Sequence, residues 1–156
     1  MKEMRIEAEQ FSAYYDEQER ILFVTYSGIV TPDVTAQFYS WLIQSLAERP
    51  EIVETARGSV YDFRKVARFE NKNLTAAQRE SQNLNQRFDL TSIPVALIVG
   101  SMYQEQLLRV TMQIQPGQER KRIVRSVDEA RAFFAEFHRK HGSRQPENTG
   151  HTKPSA

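Results

Sequence analysis

A chain of 156 residues, 40% of them hydrophobic, is long enough to bury one real core and too short for two. Its 21 basic and 20 acidic residues leave a formal charge of +1, so no long-range field draws it to nucleic acid or to an anionic membrane, and any partner must be recognised locally. The absence of cysteine excludes disulfides, thiolate metal sites and a cysteine nucleophile, and fits a reducing compartment.

The three histidines, His138, His141 and His151, all fall near the C-terminus, which argues against a histidine zinc site or general base in the domain body. The first residues, Met1 to Glu7, lack the apolar core of a signal peptide, and no apolar stretch is long enough to span a bilayer. A cytoplasmic protein is expected, with neither nucleic acid nor membrane as its partner.

In chain order, Phe11 to Tyr15 and Ile21 to Tyr26 are rich in aromatic and β-branched residues and flank a polar run, Asp16 to Arg20. That pattern predicts an antiparallel hairpin opening a sheet, with Gly28 ending its second strand. Thr31, Pro32 and Asp33 then offer a cap hydroxyl, a proline at the first helical position and an acid in the first turn. Val34, Phe38, Trp41, Leu42, Ser45 and Leu46 recur at three- and four-residue spacing, giving a helix whose apolar stripe, Trp41 included, faces the sheet until Pro50.

Gly58 to Phe63 reads as a short strand, reached by a connection long enough for a crossover helix and therefore parallel to an earlier strand. Thr75 with Gln78 forms a capping box for a second helix, which would bury Ala77, Ser81, Leu84 and Phe88. Every position from Ile93 to Val99 is apolar, which predicts a central strand covered on both faces. Met102 to Gln115, with Leu107, Leu108, Val110, Thr111 and Ile114, predicts a third helix closed by Pro116 and Gly117.

Residues 120–125 read as an edge strand whose basic ends guard against aggregation. Ser126 and Glu129 form a second capping box, with Glu129 returning to the Ser126 N–H, and Ala130, Phe133, Phe134 and Phe137 follow on one helix face. That helix should end near Gly142, with Arg139, Lys140 and His141 at the negative end of its dipole. The fold class expected is α/β: one domain over residues 1–142, a mixed sheet with an antiparallel N-terminal hairpin and then parallel crossovers, covered by about four helices. Residues 143–156 carry no apolar period and are expected to form a disordered tail.

This order, with Tyr26-Ser27-Gly28-Ile29-Val30-Thr31 leading into the first helix, Val60-Tyr61-Asp62-Phe63-Arg64 in the middle strand and Ser126-Val127-Asp128-Glu129-Ala130 opening the last helix, resembles the SpoIIAA-like family of STAS-type domains over Phe11 to His141. Domains of that family serve as anti-anti-sigma factors and as regulatory modules that bind proteins or small ligands. The resemblance implies a regulatory or binding domain, with a homodimer as one form it could take and no cofactor. Many such domains switch through a phosphorylated serine in an Asp-Ser-Ser-Gly-like loop. Here residues 63–74 hold neither the paired serines nor the glycine, and Thr75 is the nearest hydroxyl for a phosphate.

Asp62, Arg64, Lys65 and Arg68 would lie at or just beyond the end of the Val60 to Phe63 strand, where open α/β sheets place ligand crevices. With Tyr26 they form the candidate site for a small anionic or apolar ligand; the plainer reading is an Asp62–Arg64 pair beside solvated cations. A small enzyme using Asp62 beside Arg64 is the alternative. Without a recognisable nucleophile, metal set or glycine-rich phosphate loop, binding of a protein partner or small ligand is favoured over catalysis. Arg120, Lys121, Arg122 and Arg125 lack the interleaved aromatics of a base-stacking surface and read as edge protection. Phe11, Tyr14, Tyr15, Phe23, Tyr26, Tyr39 and Tyr103 are candidates for a pocket or dimer face as well as for ordinary core packing.

Overall fold

The computed structural model describes residues 3–111 and 119–142. Along the chain run β1 (Arg5–Glu7), β2 (Phe11–Asp16), β3 (Ile21–Val30), α1 (Pro32–Glu48), α2 (Pro50–Thr55), β4 (Gly58–Phe69), α3 (Asn73–Arg87), β5 (Val95–Ile98), α4 (Met102–Thr111), β6 (Lys121–Val124) and α5 (Val127–His141). The six strands lie side by side in chain order, antiparallel from β1 to β3 and parallel from β3 to β6. None of the described helices is long and apolar enough to cross a membrane.

That strand order decides the layers. Each parallel crossover steps one strand in the same direction, and right-handed crossovers that all advance the same way put their helices on one face. One core accordingly gathers Phe38 and Leu42 of α1, Ile52 of α2, Leu84 of α3 and Leu108 of α4 against Val24, Tyr26, Phe63, Val95 and Leu97. Helix α5, free of that constraint, covers the opposite face with Ala130, Phe133, Phe134 and Phe137 against Ile21, Val60, Ala96 and Ile98. The alternation of Val95 and Leu97 with Ala96 and Ile98 between the two cores explains the unbroken apolar run.

The hairpin, the parallel crossovers, the basic edge strand and the cap at Thr31 match expectation, Thr31 Oγ1 accepting from the Val34 N–H at 3.2 Å. Several expectations are corrected. The hairpin does not begin the sheet: β1 pairs outside it, three residues too few to show a period. Pro50 ends the first helical pattern but also starts α2, making five helices among the described residues. The run at Val95–Ile98 is interior yet next to the edge, and the middle of the sheet belongs to β3 and β4.

Gly28 does not end β3. It sits inside the strand at φ +71, beside one of two register shifts at which β4 carries an extra residue against β3. Strand β4 runs twelve residues rather than six, and past Asp62 it has no β5 partner. Gln104 of α4 takes over there, its Nε2 donating to the carbonyls of Phe63 (3.2 Å) and Val66 (3.4 Å) while its Oε1 accepts from the Gly100 N–H.

Helix α3 starts two residues earlier than Thr75, with Lys72 as its cap residue and no side-chain cap, so Thr75 is an exposed residue of the first turn and not a cap. Asn73, Ala76 and Leu84 are its buried positions; Ala77 and Ser81 are half-buried. Ser126 caps α5 as expected, but the Glu129 carboxylate accepts from the Arg125 N–H at 2.6 Å rather than from Ser126. Gly142 ends α5 in the left-handed conformation. The proposed stop of α4 at Pro116 and Gly117, and the tail from residue 143, fall outside the described residues.

His138 is wholly buried within α5, its Nε2 donating to the Arg57 carbonyl at 2.7 Å; a histidine inside the domain body thus has a structural role. Ser126→Ala removes the N-cap bond accepted from the Glu129 N–H in the first turn of α5. The variant should lose about 1 kcal/mol of stability, read as a lower urea midpoint with an unchanged slope.

A candidate ligand cavity between α3 and the sheet

Alternation along the middle strands sends Tyr26 of β3 and Tyr61 and Phe63 of β4 toward the face covered by α1 and α3. Tyr26 and Phe63 stack nearly parallel, their ring centroids 5.4 Å apart. Helix α3 approaches this face with small or polar residues, Ala77, Gln78 and Ser81, and a void of about 370 Å³ remains beneath it. That volume lies at the lower end of the range for small-molecule sites.

The walls of the cavity are mostly apolar: Phe63 and Phe69 from β4, Leu84 from α3, Val95 and Leu97 from β5, Leu108 from α4. At one place Thr35 of α1 donates its hydroxyl proton to the Asn73 side-chain carbonyl, closing a buried pair. Elsewhere the lining includes the phenols of Tyr39 and Tyr61 and the cations Arg120 and Lys121. The Ser81 side chain lies beside the Tyr39 hydroxyl and the Ser59 side chain beside that of Tyr61. Arg120 is fixed by its Nε, which donates to the Ile93 carbonyl at 2.7 Å.

The electrostatics follow from withdrawal from water. Burial pushes the Tyr39 phenol up to about 12, with the Ser81 side chain opposing it, and burial likewise raises Tyr61 and Tyr26 well above the ordinary tyrosine value. All three stay neutral and protonated near pH 7, so they are hydrogen-bond donors and not bases. Burial lowers Arg120 from its ordinary value, as it does Lys121, where the neighbouring Arg120 charge adds to the effect.

The residues proposed from the sequence do not come together in one site. Tyr26 lines the cavity, whereas Asp62 points to the other face of the sheet, level with Thr25 and with Ile98 of the α5 core. Arg64 grips Asp62 with Nη2 to Oδ2 at 2.7 Å and Nε to Oδ1 at 3.0 Å, and its N–H donates to the same carboxylate at 3.0 Å. Burial works to raise the Asp62 carboxyl, but the Arg64 side chain and N–H outweigh it and hold it below the usual carboxylate value. Lys65 and Arg68 are exposed, and Arg68 borders a different surface depression with Pro32 and Lys72.

Of the aromatic candidates, Tyr39 joins Tyr26 in the cavity, Phe11 and Tyr15 are core, and Tyr14 and Tyr103 are exposed. Sequence reasoning missed Tyr61, Arg120 and Lys121 as cavity residues. Period-two alternation from Val60 to Phe63 carried the signal for Tyr61, but nothing local marks Arg120 as half-buried rather than an edge charge.

The chain matches no protein-family model and none of the curated proteins. Among solved structures it resembles an uncharacterised protein of the DUF3478 family from Shewanella loihica with a SpoIIAA-like fold, at TM-score 0.57 and 15% identity, over 83% of this chain and 98% of that one. The anti-sigma factor antagonist SpoIIAA in its unphosphorylated form matches at TM-score 0.50 and 9% identity, over 78% of this chain and 94% of its own. The Bacillus cell fate determinant SpoIIAA in its phosphorylated form matches at TM-score 0.50 and 7% identity, over 78% and 97%. At such identities the likeness establishes architecture, and it agrees with the strand order and helix layers described above: the chain has the SpoIIAA-like fold of STAS-type domains.

Proposed function

We propose that this protein is a non-enzymatic SpoIIAA-like binding domain that holds a small, mainly apolar ligand in the cavity under α3 and acts through a protein partner. The observation that carries the reading is the cavity itself: an apolar floor of Phe63, Leu84, Val95 and Leu97 on which polar groups from α1, α3 and residues 120–121 converge. The partner is suggested by SpoIIAA, described as an anti-sigma factor antagonist and so as a protein that acts on another protein.

Fluorescence titration with anilinonaphthalene sulfonate, a probe that brightens in apolar surroundings, tests it. Saturable binding to the folded wild type is expected. Ala77→Trp fills the void from α3 and should abolish the signal without lowering the unfolding midpoint. Asp62→Asn, on the far face of the sheet, should bind as wild type does. Binding that survives Ala77→Trp and disappears in Asp62→Asn would move the site to the Asp62–Arg64 pair and favour the enzyme alternative.

A further inference from the structure

The cavity places two cations side by side in a mostly apolar setting. Arg120 and Lys121 are both half-buried, and no carboxylate among the described residues lies within ion-pair distance of either. Withdrawing a guanidinium and an ammonium from water is costly unless an anion compensates. Arg49 shows how this chain meets that cost elsewhere: buried, it binds both carboxylate oxygens of Glu17 at 2.7 Å and Glu51 at 2.9 Å.

Two nearby acids act on the cavity only from a distance. Asp89 is felt by Arg120, but its Oδ1 already accepts from the Thr91 N–H (3.1 Å) and hydroxyl (2.6 Å); Glu80 is felt by Tyr39. The Arg120 Nε is engaged with the Ile93 carbonyl, which fixes the guanidinium while leaving its Nη donors for another acceptor. Tyr39 and Tyr61, held neutral, feel the same Arg120 charge and can add hydrogen bonds to an anion seated there.

We infer that the ligand of this cavity is a small monocarboxylic acid, its carboxylate set on Arg120 and Lys121 and its aryl or alkyl body lying along Phe63, Leu84 and Leu97. This rests on the cavity being the binding site. The planar Arg fork matches a carboxylate in two-pronged geometry, and the apolar walls favour one charged end and no more.

Calorimetric titration of the full chain with phenylbutyrate and with phenylbutanol, the same skeleton without the charge, tests the assignment. Phenylbutyrate should bind the wild type roughly tenfold or more tightly than the alcohol. Arg120→Met should erase that preference while changing the affinity for the alcohol by no more than about twofold, since Met keeps the bulk of the stem. Lys121→Gln, in an edge strand, should shrink the preference as well, and it carries the test if Arg120→Met does not fold. Equal affinity of the two compounds for wild type, a preference that survives both variants, or tighter binding of phenylphosphonate than of phenylbutyrate would overturn the monocarboxylate while leaving the cavity as a site. If neither compound nor the fluorescent probe binds, the cavity reading itself is overturned.

Discussion

Phe38→Ala is expected to destabilise the domain by about 3–5 kcal/mol, the range for removing a fully buried aromatic ring. Phe38 is the pin by which α1 holds the sheet. It has no exposed surface, and its ring packs edge-on against Phe11 at 5.8 Å, Tyr26 at 5.9 Å and Tyr61 at 5.8 Å, with Tyr39 and Trp41 as helical neighbours at 5.2 and 6.0 Å. Its loss leaves a void behind Tyr26, Tyr39 and Tyr61, three residues that line the ligand cavity, so the wall of the site loses its support together with the core. Phe38→Leu should cost far less, because most of the volume stays. Urea unfolding of both variants checks this; a loss below about 1 kcal/mol for Phe38→Ala would mean that α1 does not dock as described.

Gly58→Ala is the second large effect, and its cause is contact rather than conformation. A methyl group at this position would lie 2.5–2.6 Å from the Cε2, Cδ2 and Cζ atoms of Phe134, a ring with no exposed surface. Helix α5 approaches the start of β4 this closely only because residue 58 has no side chain, and the His138 bond to the Arg57 carbonyl holds the helix at the same spot. Overpacking of this kind costs about 1–3 kcal/mol. Since both partners are identified, a double-mutant cycle is decisive: Phe134→Leu should relieve part of the Gly58→Ala penalty, giving a combined loss smaller than the sum. Strict additivity would contradict the close approach.

Much of the architecture was legible because it is written at short range. A cap needs a hydroxyl and an amide three residues apart, as with Thr31 and Val34 or Ser126 and Glu129, and both pairs form. A strand buried on two faces needs only an unbroken apolar run, and Val95–Ile98 is one. Where local signals competed or were too brief, the sequence misled. At Thr75 the capping-box spacing was present but the helix had already begun at Asn73, whose side chain is drawn into the buried bond with Thr35 from α1, thirty-eight residues away in sequence. Along β4 the strand read as ending at Phe63, yet the register shifts against β3 let it continue to Phe69.

The amino-acid sequence by itself determined the order and type of most elements, the antiparallel opening and the parallel crossovers. It could do so because these depend on hydrophobic period, caps and connection length, all confined to neighbouring residues. Only the tertiary structure decided which residues share a site. Strand order placed α1 to α4 on one face and α5 on the other, so Tyr26 and Asp62, proposed together, stand on opposite sides of the sheet. The same order brought Tyr39, Tyr61, Ser81 and Arg120 around one cavity from four separate segments. Long-range register, which no local spacing encodes, turned an apparent edge charge at Arg120 into a half-buried cation with no carboxylate of the described residues at ion-pair distance.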